Sequence, residues 1–374
     1  MGKMSSAFRK IHRWMGLFLM LPLALQGLTG TLLIILPLLL PERPHVTDSG
    51  ALAGAEAMVA ASRPHAPAGM IPLRLNPARW NGDSAMVTYG PAGERHPTFE
   101  VFVNPYHPSV INTYVVPTYI RFLHNVHADL FLLPYGQTAT GIMGVVLSLL
   151  ACTGLIIWWP HPALWQNGKW RRTMIVSRRA RGLRLWREIH VSLGFWLSFI
   201  LLFLSLSGAI LAFPFARPLF GINGPDHHRH GHPHHTALPS VAGETGLDTG
   251  LAALKRQMPE AALLSVQLGE QPAQQAFEVV LPAYGPNHPA TVQYDPHTEH
   301  VHISRDPGQI RRGEWTFQWL HMMHETKLVA PAPIAVIWKT VVGTGGIGLI
   351  MLACSGAGLW AMRRYGAARR ESNN

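Results

Sequence analysis

Four long apolar runs, at roughly 14–38, 137–159, 190–213 and 334–362, constrain this chain more than any other feature of it. Each meets or exceeds the roughly 20 residues that an α-helix needs to cross a hydrocarbon core. Backbone polar groups in lipid must be satisfied internally, by helices or by a closed barrel, and runs of this length read as helices. Only 14% of the residues are charged, against roughly a quarter in soluble domains. The expected fold class is an α-helical membrane protein with four transmembrane helices. The first run is too long for a signal peptide, no small-residue cleavage site follows it, and a similar segment recurs in mid-chain; it is expected to stay in the membrane.

The charges set the orientation. Of the 31 lysines and arginines, four lie in 1–13, eight in 160–189 and four in 363–374, and each of these segments abuts an apolar run. By the positive-inside rule they face the cytoplasm, as a cytoplasmic N-terminus, a basic loop too short for a domain, and a cytoplasmic tail. The segments 39–136 and 214–333 then lie outside. The net charge of +11 does not indicate nucleic acid, because no soluble basic face with stacking aromatics carries it. Two cysteines give no disulfide framework, and without a Cys-x-x-Cys-His motif covalent haem attachment is excluded.

The chain also matches itself. His12-Arg13-Trp14-Met15-Gly16, closing at Thr29-Gly30, corresponds to His190-Val191-Ser192-Leu193-Gly194, closing at Ser207-Gly208, 178 residues on. Phe122-Leu123-His124-Asn125-Val126-His127 corresponds to Trp319-Leu320-His321-Met322-Met323-His324, and Cys152-Thr153-Gly154 with Trp158 to Cys354-Ser355-Gly356 with Trp360. Helices one and three run the same way, which predicts a parallel tandem duplication about an axis along the membrane normal. Each outer segment opens with a helix candidate, 51–62 and 247–258, followed by strand-like stretches such as 99–103 and 290–294 and by turns at Asn104-Pro105 and Asp295-Pro296. Two small α+β domains are expected, one in each half. The second half carries an apparent insertion, whose obvious candidate is the His-rich run 227–235.

Twenty-one histidines are present, and none lies in the middle of an apolar run. They gather at matched ends: His12 and His190 at the cytoplasmic ends of helices one and three, and His124, His127, His321 and His324 outside, just before helices two and four. Neutral imidazole ligates haem iron, and two axial ligands normally come from different helices. Residues at i and i+3 share a helix face, so one histidine of each outer pair would face its counterpart across the duplication axis. That gives an outer site from His124 or His127 with His321 or His324, and an inner site from His12 with His190. Two non-covalent b-type haems so placed would form an electron path through the bilayer. The bland alternative is that these are amphipathic residues at the headgroups. Zinc competes for the His-x-x-His pairs, but the catalytic zinc motif has a spacing of four with an intervening Glu. His227, His228, His230, His232, His234 and His235 read as a flexible or transiently metal-binding loop.

Gly343-Thr344-Gly345-Gly346-Ile347-Gly348 satisfies a dinucleotide fingerprint in form only, since no strand precedes it. Glycines there, and Gly30, Gly154, Gly208 and Gly356, are expected to let helices approach closely. Cys152 and Cys354 are expected to be small buried packing residues. No nucleophile–base–acid set stands out, and no cytoplasmic segment is long enough to hold a flavin or nicotinamide. An electron donor would therefore be a separate cytoplasmic or membrane partner.

His12-Arg13-Trp14-x-Gly16, Trp186-Arg187-Glu188-Ile189-His190 and Thr153-Gly154-Leu155-Ile156-Ile157-Trp158-Trp159-Pro160 resemble the PepSY-associated transmembrane helix family over nearly the whole chain. Within it the chain is most similar to the FoxB-type ferrisiderophore (ferrioxamine) reductases. The resemblance implies a bacterial inner-membrane oxidoreductase with two haems, reducing Fe(III)-siderophores of hydroxamate type in the periplasm, with the outer domains as PepSY-like modules. Tyr106, Arg121, Tyr135 and Arg312 are candidates for a docking surface. Two other classes compete: a non-enzymatic regulatory or peptidase-binding protein, and a metal-uptake accessory using the His-rich loop.

Overall fold

A computed structural model describes residues 2–94, 96–213, 215–222, 246–268 and 275–371. The chain forms two compact units, one from Met1–Leu40, Tyr119–Asn223 and Arg312–Asn374, the other from Pro41–Thr118 and Gly224–Arg311.

The first unit is helical: α1 (Gly2–Ile35), α3 (Thr118–Asp129), α4 (Gly136–Trp158), α5 (Pro162–Gln166), α6 (Gly182–Ala212), α7 (Ala216–Leu219), α9 (Arg312–His324) and α10 (Ala332–Glu371). Four of these, at Ser6–Leu39, Gly136–Trp158, Gly182–Ala212 and Ala332–Tyr365, are long and apolar enough to cross a membrane. Three of them run longer than their apolar runs, because α1 and α6 begin, and α10 ends, within the basic segments. The four helices form a ring in which α1 packs on α4 and α10, and α6 packs on α4 and α10. One leucine from each, Leu23, Leu150, Leu201 and Leu349, meets at the centre. Large apolar side chains such as Phe18, Leu21, Leu149, Phe199 and Ile337 face outward, an arrangement suited to hydrocarbon.

Two seams of this ring are glycine contacts. A Cβ on Gly346 would fall 2.7 Å from the Gly27 carbonyl oxygen, and one on Gly144 would fall 2.8 Å from that of Ser205. Close approach of α10 to α1, and of α4 to α6, thus requires glycine, as expected for Gly346 within its Gly-rich run. Cys152 and Cys354, expected to be buried, are instead exposed free thiols. The basic loop is folded onto α6: Ser192 Oγ and Trp196 Nε1 both donate to the Met174 carbonyl oxygen.

The second unit corrects the expectation of two small domains. Its elements are α2 (Ala55–Ser62), β1 (Met70–Asn76), β2 (Ala85–Pro91), β3 (Phe99–Val103), β4 (Val110–Val115), α8 (Leu247–Gln257), β5 (Ala262–Gln267), β6 (Gln275–Val280), β7 (Ala290–Asp295) and β8 (His300–Arg305). Each half is a helix followed by an antiparallel meander, but β1 pairs with β5, so all eight strands make one sheet, β4-β3-β2-β1-β5-β6-β7-β8. One core serves both halves, with Leu75, Val87 and Val101 from one and Val266, Phe277 and Val279 from the other, all at most 1% exposed. Each such side chain contributes about 1.5–3 kcal/mol by leaving water. The two helices cap each other: Ala55 N donates to Asp248 Oδ1 at 2.5 Å, and Asp248 N to Glu56 Oε1 at 3.4 Å. At the predicted turns, Asn104 Oδ1 accepts from the Tyr106 N–H and Asp295 Oδ1 from the His297 N–H. A shared sheet also requires both segments to lie on one side of any membrane the four helices cross.

Candidate metal-ligating histidine pairs

α1 and α6 each carry a histidine near their start, His12 and His190, and the two rings face each other with centroids 6.2 Å apart and planes at 84°. Near the other end of the bundle, α3 and α9 carry His127 and His324, with centroids 6.3 Å apart and planes at 46°. Seventeen residues separate His12 from Thr29 on α1, and His190 from Ser207 on α6, a rise of about 25 Å along the helix. The two pairs therefore lie towards opposite ends of a span close to the thickness of a hydrocarbon core.

Each ring sits in a notch made by a hydroxyl residue followed by glycine. The Nδ1 atoms of His12 and His127 lie 3.0 Å from Thr153 Oγ1 and Thr29 Oγ1, and those of His190 and His324 lie 2.9 Å from Ser355 Oγ and Ser207 Oγ. The adjoining glycines make room for the rings. A Cβ on Gly30 or Gly208 would come within 3.0 Å of the Cε1 of His127 or His324, and one on Gly154 or Gly356 within 3.3 or 3.4 Å of that of His12 or His190. These four glycines, expected to serve helix–helix approach, instead clear space for imidazoles.

The sequence left open which outer histidine of each pair faces inward. His124 is exposed. His321 Nε2 lies 2.9 Å from Glu325 Oε1, and the same carboxylate takes Lys327 Nζ at 2.6 Å. The facing rings are those of His127 and His324. Burial, with the neighbouring His324 and His124 adding to it, pushes the His127 imidazole down to about 3. Burial likewise pushes His324 down to about 4, against the opposing pull of the Glu325 charge. Both are neutral near pH 7, the form that ligates metal. For Glu325, burial favours the protonated form, but the His321 hydrogen bond and the charges of His321 and Lys327 hold its carboxyl well below the usual range. Among the described residues, no group of three or more His, Cys, Asp or Glu side chains gathers as a metal site. Each pair thus offers two imidazoles and no further protein ligand of these types.

The family model for the PepSY-associated TM region matches residues 9–257. The chain belongs to this family. The matched stretch includes His12, His124, His127 and His190 and ends before α9, so the family match does not extend to His321 and His324. No curated protein matches the chain. With four apolar helices, membership of this family makes the chain a multi-pass membrane protein.

His227, His228, His230, His232, His234 and His235 lie outside the described residues. Of the candidate docking residues, Tyr106 belongs to the sheet unit, whereas Arg121, Tyr135 and Arg312 belong to the helical unit, where Tyr135 and Arg312 are exposed. Sequence reasoning missed the hydroxyls of Thr29, Thr153, Ser207 and Ser355. Their signal was present in the four Thr-Gly or Ser-Gly dipeptides at matched positions, read there for the glycine alone.

Proposed function

We propose that this protein is a dihaem b-type electron-transfer protein that reduces Fe(III)-siderophores on the periplasmic side of a bacterial inner membrane. The observation that carries this reading is the separation within the two histidine pairs. Two imidazoles on opposite sides of one metal ion, each with a metal–nitrogen bond of about 2.0 Å and a ring radius of about 1.1 Å, have centroids about 6.3 Å apart. The two pairs stand at 6.2 and 6.3 Å. Two ligands suit a metal whose other positions are filled by a macrocycle, and neutral imidazole is a common axial ligand of haem iron.

His12 with His190, and His127 with His324, would each hold one haem b without a covalent bond. Bound there, haem supplies one-electron redox chemistry. The protein's part is to fix the rings in their notches and to hold the far-end pair neutral through burial. The positive-inside pattern of the basic segments supports an orientation with both termini in the cytoplasm, in which the far-end pair would lie on the periplasmic side. An electron donor, soluble or within the membrane, would meet the basic end. Reduction serves as a release step because hydroxamate oxygens hold Fe(III) tightly, while the less charged Fe(II) is bound more weakly.

Protein purified from haem-replete cells is expected to show a reducible low-spin spectrum with about two haems per chain. Once reduced, it is expected to be reoxidised by a ferric hydroxamate siderophore, with Fe(II) captured by a ferrous chelator. A colourless preparation would sink the proposal.

A further inference from the structure

The direction of the four hydrogen bonds to the histidine rings follows from counting protons. Thr29 Oγ1 lies 2.8 Å from the Leu25 carbonyl oxygen, Thr153 Oγ1 2.7 Å from that of Leu149, and Ser207 Oγ 2.7 Å from that of Phe203. Ser355 Oγ lies 3.1 Å from the Leu352 carbonyl oxygen. A carbonyl only accepts, so each hydroxyl commits its single proton within its own helix. Towards the imidazole it then presents a lone pair, and the ring nitrogen must donate.

We infer that Thr29, Thr153, Ser207 and Ser355 are positioning residues that hold His127, His12, His324 and His190 as the Nδ1–H tautomer, leaving each Nε2 a bare lone pair turned away from its notch. The tautomer stands on the protein geometry alone, whereas its consequence for a bound metal rests on the dihaem reading. A ligating imidazole needs one unprotonated nitrogen, and a hydrogen bond from its other N–H fixes the ring and raises its basicity. A hydroxyl that has already given away its proton does this without adding a charge to the membrane interior, where a carboxylate in the same place would be expensive. Each pair takes one threonine and one serine acceptor, because the rings of the first half rest on threonines and those of the second on serines.

The test uses the full-length chain labelled with 15N-histidine, prepared haem-free from a haem-deficient host, with ring-nitrogen NMR as the readout. The four histidines are expected to show a protonated Nδ1 and an unprotonated Nε2. Thr153→Val keeps the side-chain shape and removes the acceptor, so His12 should lose this signature, while Thr153→Ser should retain it. Haem titrated back should bind the His12–His190 site about 10–100-fold more weakly in Thr153→Val, with a more positive reduction potential, and normally in Thr153→Ser. Should Thr153→Val fail to fold, Ser355→Ala puts the same question to His190. Nε2-protonated signals in the unmodified protein, or equal tautomers and equal affinities in the valine and serine variants, overturn the assignment. The expected tautomers in a chain that binds no haem would uphold it and overturn the dihaem reading instead.

Discussion

The two histidine pairs have nearly the same ring separation and different construction. At the basic end both rings are carried by spanning helices, α1 and α6, and rest in notches on α4 and α10. At the far end the roles are exchanged: α1 and α6 supply the notches, and the rings come from the separate short helices α3 and α9. The basic-end geometry therefore depends only on packing within the four-helix ring. The far-end geometry depends also on how two short helices dock, and Gln26 Nε2, which donates to the His127 carbonyl oxygen, and Trp338 Nε1, which donates to that of Met323, pin those helices. A facing pair of imidazoles can thus be reached from two local architectures, each with a hydroxyl beside every ring.

The largest effect is expected from removing a ring. His12→Ala or His190→Ala should abolish the basic-end haem and leave the far-end one, and His127→Ala or His324→Ala should do the reverse, so each variant retains about half the haem absorbance. Loss of both haems in any one of them would break the separation of the sites. Next come the notches. Gly30→Ala and Gly208→Ala place a methyl 3.0 Å from a ring carbon, against 3.3 and 3.4 Å for Gly154→Ala and Gly356→Ala. The first two should cost about 1–3 kcal/mol of stability, through overpacking, and lower haem occupancy, both more than the second two do, as read by thermal melts and haem content. Equal losses at both ends would show that the far-end notch is no tighter than the other.

A smaller effect is expected from the outward histidines. His124→Ala should leave both haems in place, and His321→Ala should do the same while releasing Glu325 from one partner; absorption spectra of the two variants check this. Loss of the far-end haem in His124→Ala alone would show that the wrong histidine has been assigned. The smallest difference is spectroscopic. If each pair held a haem, planes at 84° would leave the iron d orbitals that overlap the imidazoles closer in energy than planes at 46° would. Electron paramagnetic resonance of the oxidised protein should therefore resolve two low-spin signals, the more anisotropic of which disappears with His12→Ala.

The spanning helices were legible in the sequence because lipid tolerates no other arrangement of such apolar runs. The basic-end pair was equally legible, since His12 and His190 each stand alone at their helix ends. The far-end pair was legible only to within one turn: His124 and His127 share a helix face, and docking of α3 against Thr29, not the pattern within α3, selects His127. The four hydroxyls escaped notice because each acts on a ring carried by another helix. The sheet seam was hidden for a related reason. Arg74 pairs with Gln267 and Leu75 with Val266 across nearly two hundred residues, and nothing in either strand's alternation names its partner.

That seam bears on how the protein is made. While the first half is being synthesised, β1 has β2 on one side and an open row of backbone donors and acceptors on the other. Its partner β5 exists only after α4 and α6 have been threaded into the bilayer and the chain has returned to the same side. Until then the first meander also lacks Val266, Phe277 and Val279 from its core. Completion of the sheet unit thus waits on synthesis of both α4 and α6, and a chain that stops after α4 holds a half-sheet with one edge of β1 unpaired.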